Sequence, residues 1–448
     1  MTRAEWSLRT TAPDLRARYL ADGWWTDDTL SSLIAAKVAE RPDLGFRIWS
    51  DAHPATTTVA DIWERSRRFA AGLLARGVEP GDVVAFQFPN CAEAAVAFWG
   101  ATAAGAVVVP VVHFYGPKEL EYILRESRAR VLVTADRFGR LDYLDGIASL
   151  RPRLDDLETV VAWRSGAGDE PLPSDVVGFA DVGSHDPLTA PIALEPGTPA
   201  VVGYTSGTRA DPKGVIHTHR SLIAEIRQLA AMQSPDDLPM MIGAPVAHAI
   251  GMLGGLLVPL QRGRDIHITD AWNPAVVLAA MLEAGISAGS GATVFLTSLL
   301  DHPDFTPAHA ALMRGVGLGG APVPTAVVER AEGLGISVTR SYGSTEHPST
   351  TGSDPTAPVE RRMDGVAEVA VVAAPDERLG EHGCAYVRLR PDGTAPDLAR
   401  VQDHLEAAGL ARPKWPEELH VVEEFPRTPS GKIKKFVLRR QRRDAEHA

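Results

Sequence analysis

The run from Gly203 to Val215 reads Gly-Tyr-Thr-Ser-Gly-Thr-Arg-Ala-Asp-Pro-Lys-Gly-Val, so thirteen residues combine aliphatic hydroxyls, glycine and a lysine. Thr205, Ser206 and Thr208 carry hydroxyls. Gly207 and Gly214 permit the backbone angles that turn several N–H groups toward one anion, and Lys213 adds a mobile cation suited to a phosphate. A polar surface turn is the plain alternative, but it does not call for Thr-Ser-Gly-Thr and Pro-Lys-Gly in one run. The run is not a Walker loop, since Gly-x-x-x-x-Gly-Lys-Ser/Thr is absent. A second group is Ser341-Tyr342-Gly343-Ser344-Thr345-Glu346, which offers an aromatic face, a flexible glycine, hydroxyls and a carboxylate. Alone it would be an ordinary strand end with an exposed acid; beside a phosphate loop it reads as a site. A third strong group is Pro426-Arg-Thr-Pro-Ser-Gly-Lys432-Ile-Lys-Lys, where a basic solvated tail is the plain alternative. Two further features are weaker as bare sequence: Gly319-Gly320-Ala321-Pro322, also an ordinary turn, and His248 in Pro245-Val-Ala-His-Ala-Ile-Gly251.

The elements around these residues alternate. The spacing predicts strands at 83–88, 106–112, 130–134, 198–202, 240–244, 265–268, 314–318 and 336–342. It predicts helices at 31–39, 59–76, 91–104, 117–127, 221–232, 274–284, 293–300 and 325–334. Strand–helix alternation of this kind implies an α/β fold with a mostly parallel, doubly wound sheet. Ligands bind at the carboxyl ends of such strands. The 204–213 loop, His248, 319–322 and 342–346 all fall at strand ends, which argues for one shared site. The stretch 165–197, rich in Gly, Pro, Ser and Asp, reads as a long surface connection. Trp6, Trp24 and Trp25 sit in an N-terminal arm.

A chain of 448 residues is too long for one core. The division expected is an N-terminal domain over 1–357 and a small α+β C-terminal domain over 358–448. The latter has strands near 368–373, 384–390 and 418–423 and a helix near 397–408. The net charge of −12 argues against non-specific nucleic-acid binding. Cys91 and Cys384 lie far apart with no partner motif, which points to a reduced cytoplasmic setting without a metal cluster. No apolar run is long enough to span a membrane.

Together these motifs resemble the adenylate-forming, AMP-binding superfamily, which includes acyl-CoA synthetases, peptide-synthetase adenylation domains and firefly luciferase. The family usually has Thr-Gly where this chain has Arg209 and Ala210. The resemblance implies that Thr205, Ser206, Gly207, Thr208 and Lys213 hold the phosphates of ATP. It implies that Gly320, Ala321 and Pro322 approach the adenine, that Tyr342 stacks on it with Gly343 also in the nucleotide site, and that Thr345 contacts the α-phosphate. Glu346 would hold Mg2+, His248 and Gly319 would line the acyl site, and Lys432 would be the adenylation lysine. The activity implied is carboxylate–CoA ligation: the acid attacks ATP to give an acyl adenylate and pyrophosphate, and the CoA thiol then takes the acyl group. The C-terminal domain acts as a mobile lid between the steps. Amino-acid-activating relatives carry an aspartate near the histidine; none stands between 244 and 254, which favours a plain carboxylic acid. Phe114, Tyr115 and the Trp24-Trp25 arm resemble cyclohexanecarboxylate or medium-chain ligases. The partners implied are a small carboxylic acid and CoA, or a carrier-protein thiol. The oligomeric state is left open, a homodimer being one option.

The resemblance stops at Glu346 and resumes near Val359 to Val366. In the family this gap holds part of a β-barrel subdomain, the aspartate that binds the ribose hydroxyls, and a hinge. Nineteen residues, 347–365, replace them. At about 3.3 Å each they reach roughly 60 Å, so Lys432 stays within range of the site. The lost ribose carboxylate weighs more. Charge-assisted hydrogen bonds contribute about 1.5–3 kcal/mol each, so nucleotide binding would weaken by roughly ten- to several-hundred-fold. Missing strands would also leave open edges and exposed apolar surface. The expectation is thus an internally shortened ligase with impaired activity. The alternatives are a non-catalytic nucleotide- or acyl-binding relative and a vestigial one.

Overall fold

The computed structural model describes residues 6–8, 11–166, 171–205, 212–234, 237–321, 323–352, 366–376, 380–389, 393–407, 416–427 and 433–446. The chain divides into two compact units. One comprises Met1–Gly317 and Tyr342–Thr351, the other Leu318–Ser341 and Gly352–Ala448.

The first unit is built on a seven-stranded sheet. Its order is Gly214–Thr218, Pro199–Tyr204, Val107–Val112, Val83–Phe88, Val131–Ala135, Thr159–Trp163, Val176–Gly178. All neighbours are parallel except the edge pair Pro199–Tyr204 and Gly214–Thr218, an antiparallel hairpin. Every residue of Val83–Phe88 and Val107–Val112 is buried, as parallel strands covered on both faces require. Their cover on one face is the helix Ala92–Ala103, with eleven of its twelve residues buried. The helix Val59–Ala75 packs on it, started by a capping box in which the Thr58 hydroxyl accepts from Asp61 N and the Asp61 carboxylate accepts from Thr58 N. A four-stranded sheet runs in the order Met241–Ile242, Ile266–Thr269, Gly45–Trp49, Ala55–Thr58.

The turn-rich stretch 165–197 is more than a surface connection. Val176–Gly178 adds the last strand of the large sheet, and Phe179 and Val182 of the following short helix are buried. Phe179 stacks on Phe69 with ring centroids 4.6 Å apart. A three-residue strand is too short to leave a periodic signal, which is why sequence reading passes over it. The N-terminal arm contains a helix, Pro13–Ala21.

The second unit carries a three-stranded sheet, Val366–Asp376, Gly380–Leu389, Pro416–Val421. Ala370, Val372, Ala374, Cys384 and Tyr386 pack with Phe425 and with Leu438 from the helix Lys435–Glu446. Val369 and Val371 are exposed.

Candidate active site

The hairpin at the edge of the large sheet forms the base of the hydroxyl-rich loop. Its register pairs Tyr204 with Gly214, Gly203 with Val215 and Val201 with His217. The pairing is closed at the loop end by Thr205, whose N–H donates to the Lys213 carbonyl at 3.0 Å. The Lys213 N–H donates in turn to the Thr205 hydroxyl at 3.2 Å. Thr205 therefore fixes the point where Lys213 leaves the sheet, and the Lys213 side chain is exposed. Ser206, Gly207 and Thr208 lie outside the described residues, as do Pro322 and Lys432. The helix that follows the hairpin, His219–Ala231, is capped by the Thr218 hydroxyl, which accepts from Ser221 N.

The segment Tyr342–Thr351 lies on this hairpin. Directly opposed residues of an antiparallel pair project to the same face, so Gly203 and His217 share one. Both meet Thr345. A Cβ added to Gly203 would stand 3.1 Å from Thr345 Cγ2, and His217 Nε2–H donates to the Thr345 carbonyl at 2.8 Å. The next residues form a tight turn, with Ser344 N donating to the His347 carbonyl and His347 N to the Ser344 carbonyl. Gly343 is required there, since a Cβ on it would sit 1.9 Å from the Pro348 carbonyl oxygen. Helix His219–Ala231 holds the far side of the turn. Gln228 Nε2 donates to the Ser349 carbonyl at 3.4 Å and hydroxyl at 3.2 Å. The buried Glu225 carboxylate lies 3.6 Å from His347 Nδ1. Tyr342 and Glu346 are left exposed.

His248 is in the same unit. It is exposed and caps a short helix, its Nδ1 accepting from Ile250 N at 3.3 Å. The backbone leading to it is clamped by Asn90, a residue 2 % exposed. Asn90 Nδ2 donates to the carbonyls of Ala244 (3.0 Å) and Thr269 (2.9 Å), and its Oδ1 accepts from Val246 N (2.8 Å). Beyond His248 the helix widens into a π-helical segment, Met252–Leu257.

Gly319, Gly320 and Ala321 belong to the second unit. A Cβ on Gly319 would stand 2.8 Å from the Ser341 carbonyl oxygen, and Gly320 adopts φ +73°.

One exposed carboxylate, Glu346, next to the hydroxyl of Thr345, suits Mg2+, which takes one or two carboxylates and fills its shell with phosphate and water oxygens. A second group of metal-ligating types, Cys384, Glu418 and His420, lies together in the other unit. It does not suit a hard cation. Arg442 binds Glu418 through two bonds of 2.7 Å, and that guanidinium holds the carboxyl well below the usual range. Burial pushes the Cys384 thiol up to about 11, so it is protonated at neutral pH.

The sequence reading missed Asn90, His217, Glu225 and Gln228. It also missed His219, which is fully buried, accepts from Leu30 N at Nδ1 (3.0 Å), and is driven by burial down to about 4.

A family model described as "AMP-binding enzyme" matches residues 34–378, and one described as "AMP-binding enzyme C-terminal domain" matches 361–432. The chain belongs to the AMP-binding enzyme family. The medium-chain fatty-acid–CoA ligase of Escherichia coli is 26 % identical over 95 % of this AMP-binding enzyme and 92 % of its own length. An indenyl-propanoyl:CoA ligase of Rhodococcus jostii is 30 % identical over 86 % and 94 %. Among solved structures, apo MatB from Rhodopseudomonas palustris superposes with a TM-score of 0.64 at 22 % identity, covering 93 % of this AMP-binding enzyme and 99 % of MatB. That likeness establishes the fold. No helix among the described residues is long and apolar enough to cross a membrane.

Proposed function

We propose that this AMP-binding enzyme is an ATP-dependent carboxylate–CoA ligase acting on an aliphatic, alicyclic or aromatic acid. The observation that carries the reading is the seating of Thr345, the chain neighbour of Glu346, at Gly203 and His217 of the hairpin that bears Thr205 and Lys213. Both CoA ligases named above align with nearly their whole length, which supports it.

A carboxylate oxygen of the acid attacks the α-phosphorus and the bond to the β-phosphate breaks, releasing pyrophosphate. The thiol sulfur of CoA then attacks the acyl carbonyl; AMP leaves and the thiol proton passes to solvent. Lys213 and the hydroxyls of Thr205, Ser206 and Thr208 hold the phosphates, with the Gly207 backbone approaching them. Tyr342 stacks on adenine; Gly343, Gly320, Ala321 and Pro322 are further nucleotide-binding residues, and Thr345 meets the α-phosphate. Glu346 holds Mg2+, which screens the phosphate charge when bound. Lys432 supplies positive charge where it develops in the first transition state. His248 and Gly319 border the acyl site, and the segment 244–254 offers no carboxylate for an α-amine. Residues 358–448 act as the mobile lid and 1–357 as the body.

Two observations favour a reduced rate. The alignment with the medium-chain ligase extends over 528 residues although this chain has 448, so it opens gaps in this chain. Val369 and Val371 expose apolar surface on the small sheet, as a shortened junction would leave. Acid-dependent ATP–pyrophosphate exchange over a panel of carboxylic acids tests the reading. Exchange that disappears in Lys432→Ala is the expected result. Folded protein showing no exchange with any acid overturns ligase activity and leaves nucleotide binding without catalysis.

A further inference from the structure

Three side chains that follow the phosphate loop hold three alternate residues of the acidic segment. His217 holds Thr345, Glu225 faces His347, and Gln228 holds Ser349. Glu225 and Gln228 lie three apart and so share a helix face. His217 differs from the other two in its target. It bonds the backbone of Thr345 itself, one residue before Glu346, from the same face of the hairpin that Gly203 keeps clear.

We propose that His217 is a positioning residue for the magnesium–nucleotide complex, fixing the height of Thr345 and Glu346 above the phosphate hairpin. The inference rests on the functional reading of Thr345 and Glu346 given above. Its physical content is specific. The phosphate loop starts from the hairpin at Thr205 and Lys213, and the hairpin carries His217 four residues beyond Lys213. A carbonyl at 128 residues' separation is tied to that same strand. The carboxylate that would hold the cation and the lysine that would hold phosphate are thereby both tied to one hairpin, Glu346 through the Thr345 carbonyl and Lys213 through Thr205. The donor must be Nε2–H, because a carbonyl only accepts.

The test is titration of ATP in the presence of Mg2+, without acid or CoA, on the full chain by calorimetry. It compares wild type, His217→Ala and His217→Gln, and each variant's melting temperature is recorded. Loss of one half-buried hydrogen bond should weaken Mg–ATP binding about five- to tenfold and raise the Mg2+ concentration at half-saturation. Gln, whose Nε2–H2 donates from a similar distance, should restore most of it. A merely structural histidine would lower the melting temperature of the Ala variant and leave both binding readouts unmoved. That result overturns the proposal. Wild-type protein that binds no Mg–ATP refutes the functional reading instead. Amide exchange over 342–350 then still decides the clamp: protection unchanged in His217→Ala refutes it, and protection lost in Ala and regained in Gln upholds it.

Discussion

Replacing Asn90 by alanine should be among the most damaging single changes in the first unit. The amide is 2 % exposed and makes three hydrogen bonds, to Ala244, Val246 and Thr269, between 2.8 and 3.0 Å. Truncation orphans two carbonyls and one N–H. Each buried group left without a partner costs about 1–3 kcal/mol. A water entering the amide-sized space recovers part of this, so the expected loss is about 3–5 kcal/mol, measured by urea unfolding with tryptophan fluorescence. Asn90→Asp separates the donor role from the acceptor role. Its carboxylate still accepts from Val246 N but now faces two carbonyls at donor distance. It should be as destabilised as the alanine variant at neutral pH. Acidification should return part of the loss, because a protonated carboxyl donates to one carbonyl. Since Ala244 and Val246 lead to His248, the Michaelis constant for the acid should rise in either variant more than that for ATP. A stability loss under about 1 kcal/mol for Asn90→Ala, with an unchanged Michaelis constant for the acid, would show that this clamp holds nothing.

Two other perturbations follow from the same structure. His219 has its proton affinity lowered from 6.5 to about 4 in the fold. The unfolded chain therefore binds the extra proton between those values. The contribution, on the order of 3 kcal/mol, is complete above pH 6.5 and lost as pH falls toward 4. His219→Asn, which keeps an acceptor for Leu30 N, should flatten the stability–pH curve over that window; an unchanged curve refutes the assignment. Gly343→Ala drives a Cβ into the Pro348 carbonyl, whereas Gly333→Ala meets nothing within 4 Å. The first should weaken ATP binding at least about tenfold and the second should leave it alone, by titration.

Local signals made much of the fold legible. Val83–Phe88, Pro117–Ser127, Pro274–Ala284 and Thr293–Leu300 begin and end where patterning and proline place them. The Gly214–Thr218 strand begins before its apolar run, because pairing with Pro199–Tyr204, not hydrophobicity, recruits Gly214 and His217. The candidate site was legible where a motif is contiguous, as around Thr205 and Thr345. The bonds that place those motifs were not. Asn90 meets Val246 across 156 residues and His217 meets Thr345 across 128. A lone polar residue in such a position reads as solvent-facing until the backbone brings its partner. Cys384, Glu418 and His420 illustrate the same limit, since only the parallel pairing of Gly380–Leu389 with Pro416–Val421 sets them together.

The π-helical segment Met252–Leu257 has a consequence for how this buried run can change over generations. It follows Ala249–Gly251 and runs into Val258–Gln261, so its wide turn is inserted within one helical run. A π turn holds one residue more than the α turn it replaces. Deleting a single residue from Met252–Leu257 would rewind the run as continuous α-helix. The flanking turns would keep their register, because the wide turn already absorbs the extra residue, and only the side chains of that turn would be re-aimed. Met252, Leu253, Leu256 and Leu257, all buried, would repack against new neighbours without one substitution. The packing of this buried run is therefore open to revision by a change of length, a route that comparison of aligned side chains alone does not register.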